Sequence, residues 1–304
     1  MEEKLKTITL SNPLLSHFKT DFESIPFDKI KSKHFIPAIK KGINLALDNI
    51  RLICNNADKP TFENTNLALE SCGSILGRNS SILFNLNSAE TTDEIQLITS
   101  QAAPLLTKFQ NDINLNEVLF DRIRYVYENN DQKKLNSEQK TLLEKQYKGF
   151  VRNGALLGES EKKKLRIIDA KLAKLSLSFG QNILAETQAY ELHIKDEKKL
   201  RGLPDSLVEM TKSIADKKGK KGWIITLDYP IYIPFITYSE ERELRKEITL
   251  AFGRRGYKKN KNNNTEIIIQ IISLRKERAK LLGYNSHAEF ILEERMASSI
   301  SEVK

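Results

Sequence analysis

Apolar residues recur along this chain mostly at intervals of three and four, the spacing that puts them on one side of a helix. Ile36, Ile39, Ile43, Ala46, Ile50 and Ile53 form such a series, with Pro37 tolerated in the first turn. Thr91 followed by Glu94 reads as a capping box opening a helix through "IQLITSQAAPLLTKF", which Pro104 is expected to kink or split. Residues 116–128 and 137–152 predict two further helices, the second stopped at Gly154. The clearest element is a helix over 161–189. Its Leu165, Ile168, Leu172, Leu175 and Phe179 make a narrow seam that calls for a partner helix, in a long helical hairpin or bundle. A coiled-coil dimer is the weaker use of this seam, because the heptad fades after Phe179.

The period then changes. "AYELHI" (189–194) is a candidate strand, and Pro204 opens a helix. "WIITL" (223–227) and "IPFITY" (233–238) are β-rich runs on either side of "DYPIY", which predicts that they pair as a hairpin. Ser239 is placed as the cap of a helix with Glu240 and Glu241 in its first turn, and a last long helix runs from Thr265 to Leu282, closed by Gly283. The fold class that follows is mainly α, a multi-helix lobe with a small β-hairpin. Two regions are expected: 1–155, wholly helical, and 156–304, with the long helix and the strands.

Composition adds limits. Thirteen Gly and eight Pro in 304 residues are too few for a turn-rich β fold, and 29% charged with 39% hydrophobic residues suits a globular chain. The formal charge of +9 is scattered. Its densest patches, "KKGKKG" and "RRGYKKNKNNN", read as solvated loops without the interleaved aromatics of a single-strand platform, so no nucleic-acid partner is expected. Two cysteines, Cys54 and Cys72, cannot make a disulfide framework. No signal peptide is visible, and the longest apolar run, "IIIQII", is far below the roughly 20 residues of a membrane span. The expectation is a cytoplasmic protein with no membrane partner.

Candidate chemistry concentrates in "SHAEFILEERM" (286–296), where His287, Glu289, Glu293 and Glu294 are potential zinc ligands. Ligands on one helix should be three or four residues apart, yet the positions that far after His287 are Phe290 and Ile291. His287 and Glu289 diverge by about 200°. Ser286-x-x-Glu289 is better read as a capping box, with Glu289 reaching back to the cap amide, and Glu293 with Glu294 as a solvated face. The four histidines, His17, His34, His193 and His287, approach no closer than the seventeen positions between the first two, so H-E-x-x-H is absent from these residues. P-loop, dinucleotide and G-x-S-x-G signatures are absent as well. The residues therefore nominate no catalytic, cofactor-binding or metal-binding side chain.

The order of several segments is more telling. "NPLL" with "IPFDKIKSKHFIPAIKKGI", "PTFENTNLALE", "FNLNSAETTDEIQ", "EQKTLLEKQYKGFVRNGALL", "LAKLSLSFGQNILAET", "LRGLPDSLVEM", "WIITLDYPIYIPFITYSEERELRKEI" and "LRKERAKLLGYNSHAEFILEERMA" run from near the start to near the end. In that order they resemble the N-terminal half of the zinc metallopeptidases that include oligopeptidase A, peptidyl-dipeptidase and thimet oligopeptidase. The resemblance implies an elongated helical lobe forming one wall of a channel for short peptides. It implies zinc as the family's cofactor, held by an H-E-x-x-H helix lying in the family's other half, so no family ligand can be carried onto residues 1–304. The expected function is the front part of a zinc-dependent oligopeptidase or peptidyl-dipeptidase, inactive alone. A separately encoded zinc-bearing half is then a candidate partner. The alternative is a non-catalytic helical module that binds peptides or a protein.

Overall fold

A computed structural model of the chain describes residues 12–129 and 134–304. It divides into two compact units, one of residues up to Lys174 together with Leu274–Lys304, the other Leu175–Ser273.

The first unit is helical. Its α1 (Phe35–Cys54) is followed by a π turn, Phe62–Leu67, that runs into the short α2 (Ala68–Glu70). Then come α3 (Ser74–Ala89), α4 (Asp93–Asn114), α5 (Glu117–Asn129) and α6 (Ser137–Arg152). The spacing read from the sequence buries as expected: Ile39, Ala46, Ile50 and Ile53 are enclosed, with Ile36 and Ile43 packed at the margin. The first half of α1 joins Leu14, Phe18, Leu76, Leu83, Ile95 and Ile98 in one core. Its second half, through Ile50 and Ile53, joins Leu119, Phe120, Ile123 and Phe150 in another. A Cβ at Gly42 would lie 3.2 Å from Leu76, so glycine lets α1 and α3 approach closely.

Two sequence expectations in this unit are corrected. The α4 cap is Thr92, whose hydroxyl accepts from the Ile95 amide at 3.2 Å, one residue beyond the Thr91 expected. Nor does Pro104 split α4, which runs unbroken through 22 residues. Burial of Ile95, Ile98 and Ala102 against the core offsets the hydrogen bond proline removes. Gly154 does stop α6, at φ 94°, and a Cβ there would meet Leu165 at 2.7 Å.

The long helix, α7 (Glu159–Ala189), belongs to both units, as does the later α11 (Thr265–Leu281). In the first unit Leu165 and Ile168 of the seam are buried, and Lys162 and Arg166 pair with Glu117 (2.5 Å) and Asp112 (2.6 Å). Leu172, Leu175 and Phe179 are only half-buried.

The second unit holds the rest of α7, β1 (Leu192–Ile194), α8 (Asp205–Lys217), β2 (Trp223–Ile225), α9 (Tyr229–Tyr238), α10 (Arg242–Gly253) and the start of α11. The β structure differs from the expected hairpin. β2 pairs antiparallel with β1, Leu192 opposite Ile225 and Ile194 opposite Trp223, while "YPIYIPFITY" is helical. A continuous apolar run does not by itself separate a buried strand from a buried helix. Pro234 has no amide for a ladder, and Pro230 suits a helix's first turn, so the helix is the better use of the run. It buries Ile231, Tyr232 and Phe235, and the Tyr232 ring stacks on Phe252 at 4.1 Å. Ser239, expected as a helix cap, instead accepts from the Glu241 amide at 3.3 Å, and α10 starts at Arg242.

The basic loops read as solvated are tied down. Glu191 takes hydrogen bonds from Lys218 and, at 2.6 Å, Lys220 of "KKGKKG". These hold its carboxyl down at about 2. Buried Glu186 pairs with Lys258 at 2.8 Å and accepts from Asn260 at 2.5 Å and Asn262 at 3.3 Å, gathering the asparagine-rich loop. That loop closes where the Asn264 amide bonds Gly256 O at 2.7 Å.

Gly222 has φ 99°, and a Cβ would stand 2.3 Å from the Ile194 carbonyl oxygen, whereas Gly219, at φ 66°, faces open space. Gly222→Ala should therefore cost several kcal/mol in urea unfolding, and Gly219→Ala about 1 kcal/mol. Because Glu191 has a depressed folded-state pKa, its contribution is present above the ordinary glutamate range and disappears as pH falls from about 4.5 towards 2. Glu191→Gln should flatten the pH dependence of melting in that window and leave it unchanged near neutrality.

Candidate functional site

The stretch that concentrated candidate ligands forms a short helix, α12 (His287–Leu292), followed after a few residues by α13 (Ile300–Val303). Ser286 caps α12, its hydroxyl accepting from the Glu289 amide at 3.1 Å. The return bond differs by one residue from the expected box: Glu289 accepts from the Asn285 amide at 3.0 Å. Glu289 is thus committed to the cap, as its spacing implied.

Glu293 and Glu294 are not the free solvated face expected. Glu293 pairs with Arg152 and accepts from the Tyr284 hydroxyl, and Glu294 pairs with Lys145. Arg152, its side chain 12% exposed, also donates to the Phe290 carbonyl at 2.6 Å and lies 4.5 Å from the Phe290 ring centre. A second guanidinium, Arg278, bonds Asp169 at 2.7 Å and Asn153 at 3.0 Å, 5.0 Å from the same ring. Two cations thus flank one phenyl ring, and each carboxylate around it has a cationic or amide partner. The arrangement fastens residues 284–294 to α6 and α7 and presents no vacant ligand set.

The histidines do not converge. His34 Nδ1 accepts from the Lys31 amide at 3.1 Å, and His193 Nε2 donates to the Lys221 carbonyl at 2.7 Å. His287 lies beside Phe290, where burial and then Arg275 and Arg278 lower its proton affinity. Among the described residues no group of three or more His, Cys, Asp or Glu could hold a metal ion. The donor set here does not fit the catalytic zinc of the resembled family. Burial raises the pKa of both Cys54 and Cys72, so neither is an activated thiolate.

Concavities remain in both units. In the first unit a cavity of about 800 Å³ opens between residues 27–35, the end of α3 and the start of α4. Its lining combines apolar residues (Phe27, Ile30, Phe35, Leu86, Ile95) with the charged Lys31, Lys33, Glu90 and Glu94. In the second unit a depression of about 500 Å³ is bounded by Ile236, Leu250, Arg242, Arg245 and Lys246. Arg245 there is spent on the Ser239 carbonyl. Sequence reasoning missed the first cavity. Its lining residues come from three separate segments, and the only local trace is the lysine alternation in "KIKSKHF".

Comparison with known proteins supplies what this geometry lacks. Residues 235–304 match the sequence profile described as "Peptidase family M3". The chain is 29% identical over 298 residues to oligopeptidase A of Escherichia coli, covering 97% of this chain and 43% of that protein. It is 30% identical over 293 residues to dipeptidyl carboxypeptidase of the same organism, covering 96% and 43%. A thimet-like oligopeptidase of Dictyostelium discoideum is 28% identical over 236 residues, covering 77% and 34%. The resemblance seen in the ordered segments is borne out: the chain is related in sequence, over the N-terminal part of their length, to the peptidases of family M3. It spans about 43% of the length of the two bacterial relatives.

Arg152→Ala should leave Glu293 without its cation and the Tyr284 hydroxyl and Phe290 carbonyl without the donor Arg152 supplies, and cost about 2–3 kcal/mol. Lys145→Ala, at a pair 59% exposed on the lysine side, should cost under about 1 kcal/mol. Denaturant titration of the two variants tests the ranking.

Proposed function

We propose that this chain builds the helical scaffold of a zinc-dependent oligopeptidase or peptidyl-dipeptidase acting on short peptides. In this reading hydrolysis requires a zinc-bearing segment that residues 1–304 do not contain. The single observation that carries it is collinear similarity over 97% of the chain to a protein named oligopeptidase A. The spacing of the four histidines supports the second clause, because zinc peptidase chemistry needs ligands close in space and a base beside the bound water.

The scaffold role fits the side chains. Arg152, Arg278, Glu186 and Glu191 are engaged in holding loops and helices together, not poised around a reacting atom. The zinc-bearing segment is the partner the reading requires, either on the same polypeptide or on another. No described helix is long and apolar enough to cross a membrane, and both cysteines are free, which supports placing the protein in the cytoplasm.

Purified chain 1–304 mixed with a short peptide and zinc should release no dipeptide by mass spectrometry. Co-expression with the zinc-bearing remainder of Escherichia coli oligopeptidase A should give a complex that cleaves the peptide and loses activity with a chelator. Zinc-dependent cleavage by chain 1–304 alone would overturn the assignment of the zinc site elsewhere. Failure to form any complex with the remainder would overturn the scaffold reading.

A further inference from the structure

Residues 153 and 154 form the only Asn-Gly pair in the sequence, and they sit at the turn that ends α6. An asparagine followed by glycine is chemically labile. The following amide nitrogen can attack the side-chain carbonyl carbon, because glycine has no Cβ to shield it. The attack closes a succinimide ring. A bond forms between the Gly154 nitrogen and Asn153 Cγ, the Cγ–Nδ2 bond breaks, and Nδ2 leaves as ammonia with the proton lost from the Gly154 amide. Water then opens the ring at either carbonyl, to aspartate or isoaspartate, with no oxidant or cofactor. Ring closure requires the Asn153 carboxamide to swing over the Gly154 nitrogen, and that nitrogen to be free of its hydrogen bond.

The fold blocks each requirement. Asn153 has ψ 18°, which turns its Cβ away from the Gly154 nitrogen, and the Gly154 amide donates to the Val151 carbonyl at 3.1 Å. The carboxamide is held at both ends: Nδ2 donates to the Gly149 carbonyl at 2.8 Å, and Oδ1 accepts from Arg278 at 3.0 Å. Of these bonds only the last reaches beyond the turn, joining residues 125 positions apart. Arg278 is itself fixed by Asp169 at 2.7 Å and by the Phe290 ring 5.0 Å away, and its side chain is 14% exposed. All of these residues lie in the first unit.

We propose that Asn153 is a latent deamidation site held closed by Arg278, whose guanidinium keeps the carboxamide turned back along α6. Arg278 is a positioning residue in this role: it takes no part in ring closure and sets how often the ring can close. Conversion is one-way. An isoaspartyl link adds a carbon to the backbone of a turn so tight that a Cβ at Gly154 would stand 2.7 Å from Leu165. The site needs neither zinc nor the peptidase reading.

The test follows aspartate and isoaspartate at position 153 in chain 1–304 held in mildly alkaline buffer. The readout is mass spectrometry of peptides released at acid pH, where further cyclisation is suppressed. A synthetic peptide of residues 148–159 gives the unguarded rate. The unchanged chain should convert at least about tenfold more slowly than the peptide, since the site reacts only when the turn opens. Arg278→Leu should raise the rate about tenfold, through the loss of one charge-assisted hydrogen bond. Asp169→Asn, which frees Arg278 from its anchor, should raise it by a smaller factor. Ile82→Ala loosens the first unit through a different core, and it should leave position 153 slow at a comparable loss of stability in urea. Conversion of the unchanged chain at the rate of the peptide would overturn the proposal. So would a folded Arg278→Leu chain that reacts no faster, or an Ile82→Ala chain accelerated as much. Should Arg278→Leu fail to fold, Asp169→Asn reads the same guard, and an unchanged rate there counts equally against it.

Discussion

The first unit is organised by the burial of α1, whose Phe35, Ala38 and Ile39 pack into one hydrophobic cluster while Ile50 and Ile53 pack into another. A 20-residue helix is about 30 Å long, enough to serve two cores that do not merge. The helices α3 and α4 close on the first half, and Gly42 lets α3 approach tightly. On the second half α5 stacks Phe120 beside Phe150, at 6.1 Å between ring centres. Helix propensity would not hold these segments in place singly, because isolated helices of this length are marginal in water. Their stability comes from the faces they share.

Several charges in this protein do structural work. Arg152 and Arg278 clamp residues 284–294 from two sides of Phe290. Glu186 and Glu191 each anchor a lysine-rich loop, so two segments that look unstructured by composition are gathered against the second unit. In each case a carboxylate is held by at least one cation and the chain around it is fixed.

The relationship to family M3 and the geometry speak to different parts of one question. Similarity runs along nearly all of this chain, yet over less than half of each relative, and the side chains here form cores, clamps and a charged cleft. The proposed scaffold role is consistent with that distribution. A hydrolytic site needs a few side chains placed with high accuracy, and accuracy requires a large rigid framework whose own residues do no chemistry.

Much of the fold could be read in the sequence where local rules and tertiary packing agree. The three-and-four spacing of α1, the limits of α6 and most of α7, and the glycine stop at Gly154 are all set by contacts within a few residues or by one long amphipathic face. The helix cap at Ser286 was legible in the same local way, from the spacing of Ser286 and Glu289. Tertiary structure decided what local rules leave degenerate. It made "YPIYIPFITY" a helix, because Pro234 forfeits a ladder bond and Phe252 offers Tyr232 a stacking face. It paired β2 with β1 across 28 intervening positions, and Pro104 was absorbed where burial outweighs one lost hydrogen bond. It also brought Phe27, Phe35, Leu86 and Ile95 to the wall of one cavity, since a cleft between three segments has no period in any one of them.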